Sequence, residues 1–219
     1  MADIDMSALY TRGNYFAERS FVKTDIQGGV TRNRSGTRIV SLTSDFLKGL
    51  RNAMFQECGP AANMVLTTCG KSWGRMFAKR FEREMTEFYG APFREAPVVF
   101  FETCLSEAFS HHGWGKFHID YVRTHQGIIV IQIEHPPFEG LVENPDEPVE
   151  TLLSGIIAGI FSHFTGQDLA CLQTDCTQCG DAIDRFVLTL SSRIEKPREL
   201  KSSGQGFDEI IAVMEKSVA

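Results

Sequence analysis

Basic charge is in short supply here: 22 Lys and Arg stand against 28 Asp and Glu, a formal net charge of −6. That balance argues against a general nucleic-acid binder, which needs a basic field over the phosphates. The one basic cluster, Arg32, Arg34 and Arg38, reads as part of a solvated hairpin. Long apolar runs are missing too. The longest of helical character, Leu152 to Phe164, is broken by Ser154, Gly155, Ser162 and His163. It falls short of the ~20 apolar residues a bilayer span requires. The N-terminus, Met-Ala-Asp-Ile-Asp, lacks the basic start and apolar core of a signal peptide, so a cytoplasmic location is expected. Nucleophile elbow, phosphate loop and dinucleotide fingerprint are all absent. Gly70-Lys71-Ser72 has the ending of a phosphate loop, but Val65 stands where its first glycine belongs. No nicotinamide- or flavin-binding motif is visible either.

Tyr and Trp are scarce, with 4 and 2 copies, whereas Phe occurs 17 times. Phe adds apolar area without a polar handle, which suits a large core, an apolar pocket or a buried interface. At 219 residues and 42 % hydrophobic composition the chain can bury a sizeable core. Residues 1 to about 28 show no clear periodicity, and Tyr10, Tyr15, Phe16 and Phe21 suggest packing on something, such as a partner subunit. Val30 to Leu42 reads as a hairpin. A helix capped by Thr43 or Ser44 follows, with Phe46, Leu47, Leu50 and Met54 on one face. Pro60 to Tyr89 carries a long stripe through Cys69, Trp73, Phe77 and Phe81, and Gly70 and Gly74 let another backbone approach. Glu82 and Glu84 are expected on its solvated face. Val98 to Ser110 is a third helix. Lys116–Thr124 and Ile128–Glu134 form an antiparallel hairpin. Glu150 to Phe164 is a fourth helix, again with two glycines four apart, Gly155 and Gly159. Strands at 168–174 and 185–190 flank a cysteine-bearing turn. Beyond a linker at 202–206, Phe207 to Lys216 forms an amphipathic tail helix. Helices and hairpins in this order make an α+β fold with an antiparallel sheet packed on long helices.

Two constellations could carry chemistry. Cys176 and Cys179 form a C-x-x-C pair, half of a metal site; Cys171, Asp175, Asp184, Glu150 or a distant His would have to complete it. Reduced thiols at a tight turn are the plainer reading. A redox pair is disfavoured, because no helix N-terminus faces the thiols and Asp175 and Asp181 stand nearby. Cys58, Cys69 and Cys104 read as small core residues. The second constellation is His111, His112 and His118 around Trp114, with His163 on the glycine-bearing helix. Imidazoles can ligate a tetrapyrrole metal or hydrogen-bond a phenolic ligand, while a His pair at a helix end is often no more than favourable charge.

The stretch from Glu150 to Val187, with its glycine-bearing helix, its strand, and the run Cys171-Leu-Gln-Thr-Asp-Cys176-Thr-Gln-Cys179-Gly180-Asp181, resembles the C-terminal half of the 4-vinyl-reductase-type domain family. The resemblance spans about residues 40 to 192 and is strongest over the last 40 or so. It implies the fold of vesicle-transport TRAPP subunits, and a division into an extension and hairpin (1–43), a ligand-binding domain (44–192) and a linker with tail helix (193–219). It implies a pocket among the helices and central hairpin: Phe101, Phe109, His111, His112, Trp114, Phe117, His118, Tyr121, Ile131, His135 and His163, with Phe100 as a further wall. The helices and sheet would then enclose a chamber wide enough for a planar guest. Family members often hold zinc through three cysteines and a glutamate. The matching positions are Glu150, Gln173, Cys176 and Asp184, with Cys179 as a substitute donor. Gln173 is a poor zinc ligand; without metal the turn must be held by hydrogen bonds and packing. The chain also resembles stand-alone cyanobacterial members linked to photosystem II assembly. That implies a chlorophyll, precursor, bilin or other hydrophobic ligand, photosystem subunits or assembly factors as partners, a homodimer, and a place beside the thylakoid membrane. Three readings stay open: a non-catalytic carrier, an accessory subunit or enzyme of vinyl-group reduction, and a ligand-free adaptor.

Overall fold

Glycine spacing sets the central packing of this protein. The computed structural model describes residues 13–16, 21–143 and 145–216. Strands β1 (Val22–Asp25), β2 (Val30–Asn33) and β3 (Arg38–Ile39) form a small antiparallel sheet. Helix α1 (Ser44–Cys58), the 28-residue α2 (Ala62–Tyr89) and α3 (Val98–His111) follow. Next come β4 (Lys116–Asp120), β5 (Ile129–Glu134), α4 (Thr151–Thr165), β6 (Leu169–Asp175) and β7 (Asp184–Leu190). Helices α5 (Glu195–Ser202) and α6 (Phe207–Lys216) close the described chain.

Helices α2 and α4 cross at their glycines. A Cβ on Gly70 or Gly74 would run into the carbonyl oxygens of Leu152 and Ile156, and one on Gly155 or Gly159 into those of Thr67 and Lys71. Helix packing, not a ligand, fills the gap those glycines open. Helix α4 is apolar almost all round and buried from Leu152 to Ser162, as befits a helix covered on every side.

The larger sheet has the order β4-β5-β7-β6, every pair antiparallel. One face, with Phe117, Ile119, Ile131, Ile133, Phe186 and Leu188, joins α2, α3 and α4 in the main core. The opposite face, with Ile128, Val130 and Val187, is covered by Ile210, Ile211 and Met214 of α6. Burial on both faces at its start explains the apolar run Ile129-Val130-Ile131, after which β5 alternates through Gln132 and Glu134.

Several expectations need correction. Tyr15, Phe16 and Phe21 pack inside this chain: Phe16 stacks on Phe81 and His111. Tyr10 lies outside the described residues. The segment before the hairpin contains β1, which aperiodic, exposed Val22–Asp25 did not announce. Thr43 is the N-cap of α1, but its side chain makes no capping hydrogen bond. Cys58 and Cys69 are exposed and only Cys104 of that trio is buried. Glu84 is buried, not solvated: its Oε1 accepts from Asn33 Nδ2 and Thr37 Oγ1, which locks the small sheet onto α2. Glu82 is half-buried and accepts from Arg94 and His163. Burial raises its carboxyl, but those hydrogen bonds outweigh this and leave it below its usual range.

Candidate ligand-binding slot

Aromatic residues one turn apart on α2 build the first candidate locus. Trp73 and Phe77 lie nearly parallel, centroids 5.2 Å apart, and Phe77 stacks in turn on Phe81 at 5.6 Å. The turn after α3 places Trp114 on the other side of Trp73 at 5.3 Å and 22°. The backbone N–H of Trp114 donates to Phe109 O (3.0 Å), which folds the turn back over the helix end. Phe109 and His112 of the α3 terminus stand perpendicular to Phe77, at 88° each. With Ala108 these rings line a narrow, partly open slot. Its space is spread so thinly that no water molecule fits unless a ring moves.

His112 is the polar group of the slot. Its Nδ1 is 2.7 Å from Ala108 O, so Nδ1 carries the proton and Nε2 keeps the lone pair in the neutral ring. Burial lowers its pKa below the usual histidine value, and nearby Arg80 adds to that; the Ala108 bond and Glu84 oppose it. The slot therefore offers apolar surface, with the neutral His112 ring as part of its wall.

The remaining candidate residues are dispersed. Phe101 belongs to a separate ring cluster with Phe93, Phe161 and Phe164, and lies 4.9 Å from Phe164. Phe100 packs on Tyr89. Phe117 bridges Phe109 and Phe161 inside the core, and Ile131 is fully buried. His111 packs on Phe16 and Phe21, with Glu107 3.9 Å away. His118 is exposed and pairs with Glu102 at 2.9 Å. Tyr121 buries its hydroxyl without a hydrogen-bond partner among the described residues. His135 is exposed, with φ 55°, and bonds Glu139. His163 is held by Glu82 (2.6 Å) and Arg94. The chamber expected for a planar guest is filled by the protein's own phenylalanines, because a Phe-rich core interlocks edge to face. Trp73, Phe77 and Ala108 were not among the residues expected at the site. Trp73 and Phe77 stand at i, i+4 in the α2 stripe, but a stripe says nothing about which part of it meets a gap.

A wider depression of about 950 Å³, open to solvent, lies by Arg75, Lys79, His163 and Asp168. Asp168 there is paired with Lys71 and Arg75. An apolar guest in it would stay hydrated, so the narrow slot is the better candidate for such a ligand.

The second locus is the cysteine-bearing turn. Glu150, at the start of α4, is fully buried. Its backbone N–H donates to Gln173 Oε1 (2.9 Å), and its Oε1 accepts from Phe138 N (2.8 Å). Gln173 Nε2 donates to Asp184 Oδ1 (2.8 Å), and Thr177 Oγ1 to Asp184 Oδ2 (2.7 Å). Burial pushes the Glu150 carboxyl up to about 8, against the pull of Phe138 N–H. Cys176 is fully buried, whereas Cys179 is exposed and sits 3.5 Å from Pro145 O. Partial desolvation at the turn, reinforced by neighbouring Cys176 and Asp181, raises the Cys179 thiol, the opposite of an activated thiolate. Among the described residues no three His, Cys, Asp or Glu side chains converge as metal ligands.

The cysteine turn is also where the chain meets known proteins. Residues 129–190 match the 4-vinyl-reductase domain family. The matched segment runs from β5 to β7 and contains the whole turn. No curated protein is significantly similar in sequence to the chain. Among solved structures, the phenol-responsive sensory domain of the transcription activator PoxR, determined with phenol, matches with a TM-score of 0.64 at 13% identity, covering 94% of this chain and 100% of that one. A trafficking protein particle complex subunit 3 from Naegleria fowleri, covalently bound to palmitic acid, matches at 0.51 and 17% identity, over 68% and 95% of the two chains. A vinyl-4-reductase family protein from Methanocaldococcus jannaschii reaches 0.49 at 14% identity, over 69% and 83%. At such identities the likeness is one of fold: the α+β architecture is shared with the sensory domain and the trafficking subunit. No helix among the described residues is long and apolar enough to cross a membrane.

Proposed function

We propose that this protein is a non-catalytic binding module that takes a small apolar ligand, one aromatic ring in size, into the slot between α2 and α3. The observation that carries the reading is the slot itself: the rings of Trp73, Phe77, Phe109 and Trp114 around a narrow apolar gap, with neutral His112 in its wall. At rest the slot has no room for even a water molecule, so a ring-sized guest would enter only as these side chains turn aside. A phenolic hydroxyl would donate to His112 Nε2, and the guest would take the ring faces of Trp73, Phe77 and Trp114. The structural likeness to a phenol-sensing domain points the same way. The slot is lined by Trp73, Phe77, Ala108, Phe109, His112 and Trp114, with no hydroxyl, thiol or carboxylate among them. Such residues suit holding a ligand rather than transforming it.

A chlorophyll-type tetrapyrrole and a role in photosystem II assembly, beside a thylakoid membrane, rest on the sequence resemblance. Pockets for drug-sized guests usually exceed roughly 300 Å³, so a tetrapyrrole would require the phenylalanine core to open. The test is titration of the purified chain with phenol, toluene and a soluble porphyrin, read by tryptophan fluorescence. Saturable quenching by phenol supports the reading. Binding of porphyrin alone would favour the pigment carrier, and no binding of any of them the ligand-free adaptor.

The homodimer also belongs to this proposal. Helix α1 buries none of its residues: Phe46 is 50% and Leu50 38% exposed, with Leu42 just before it at 57%. A second copy covering that face would remove a continuous apolar stripe from water. Sedimentation should give a dimer that Phe46→Glu converts to monomer; a monomeric wild type rejects it.

A further inference from the structure

Zinc does not fit the turn that the 4-vinyl-reductase resemblance assigns to it. A structural zinc site takes four committed donors. Of the four matching positions, Gln173 is an amide whose oxygen accepts from Glu150 N and whose nitrogen donates to Asp184. Both Asp184 oxygens are already taken, one by Gln173 and the other by Thr177. Glu150 Oε1 is taken by Phe138 N, so only Oε2 has no partner among the described residues. Cys176 N–H, at the same turn, is satisfied by Asp181 Oδ2 (2.8 Å). Gln178 ties the neighbouring loop down through Gly140 N and Phe138 O.

We infer that an amide–carboxylate clasp, running from Phe138 through Glu150, Gln173 and Asp184 to Thr177, closes this turn in place of a metal ion. It links the same three pieces of chain a zinc ion would: the start of α4, strand β6 and the turn into β7. Gln173 is its keystone, because its amide accepts from Glu150 N through the oxygen and donates to Asp184 through the nitrogen, which an ionised carboxylate cannot do. The direction of each bond follows: a carboxylate at position 173 would face Asp184 with no proton to give.

The wild-type protein, purified without added metal, is melted with and without EDTA, and again with one equivalent of zinc; metal content is measured by elemental mass spectrometry. The clasp predicts under one-tenth zinc per chain and the same midpoint, within ~1 °C, in all three conditions. Stoichiometric zinc, or a fall of ~10 °C or more in EDTA that zinc restores, overturns it. Two variants separate clasp from metal further. Gln173→Glu should lower the midpoint by several degrees with no gain of zinc. Glu150→Gln, which keeps the acceptor for Phe138 N, should fold with a midpoint equal to or above wild type. Zinc binding by Gln173→Glu with a raised midpoint, or loss of folded protein in Glu150→Gln, counts against the clasp.

Discussion

Helix α2 meets its two main neighbours in opposite ways. Toward α4 it presents Gly70 and Gly74, and the backbones touch through paired glycines. Toward α3 it presents Trp73 and Phe77, and large rings keep the elements apart around a gap. Small residues make a seam that cannot change without the helices separating. Rings make a seam that can yield, since each turns about its own side-chain torsions. One helix thus supplies both the fixed joint of the fold and its adaptable one.

The sharpest way to break that comparison is to exchange the two behaviours. Gly155→Val places a side chain into Thr67 O, so we expect a loss of about 3 kcal/mol or more in urea unfolding, enough to leave little folded protein. Wild-type stability in that variant would mean the glycines are not the joint. Next in size, Ala108→Leu fills the ring slot. Phenol affinity should fall about a hundredfold, while stability falls by about 1–3 kcal/mol as the extra side chain crowds the rings. Equal affinity would place the ligand elsewhere. A smaller effect is expected from His112→Phe: phenol binding weakens about tenfold, close to one hydrogen bond, and toluene binding does not weaken. Parallel loss of both would make His112 a packing residue only.

The smallest effect concerns pH. The folded protein holds His112 below its ordinary value of 6.5, so the unfolded chain binds the extra proton first as acid is added. The contribution of neutral His112 to stability is full above pH 6.5 and is lost as pH falls through the depressed folded value. Phenol affinity of the folded protein should stay flat through the ordinary histidine value and decline only below the depressed folded one, and should be flat throughout in His112→Phe. A wild-type affinity that rises on acidification contradicts the acceptor role.

Much of this architecture was legible in the linear chain. The tail helix spans Phe207–Lys216 as its apolar stripe indicated, and the β4–β5 hairpin follows its β-branched run. These elements carry their own punctuation: Gly90 and Gly166 end α2 and α4 in left-handed conformation, with φ of 73° and 69°. Helix α5 carried no such signal. Its charged, weakly apolar Glu195–Ser202 shows a period only when seen against β6 and α6. Glu84 misled for a related reason: position on a helix face gives a direction, and whether that direction meets water depends on the small sheet folding over it.

The sequence by itself determined the class of the fold, its helix stops and the glycine pairs, because periodicity and backbone freedom are local properties. Only the tertiary structure decided what lies opposite each residue. It set Phe109, His112 and Trp114 against Trp73 and Phe77, and sent His118, His135 and His163 to separate carboxylate partners. It also joined Gln173 to both Glu150 and Asp184. Those pairings depend on distances between residues far apart in the chain, and such distances exist only once the sheet and helices have closed on one another.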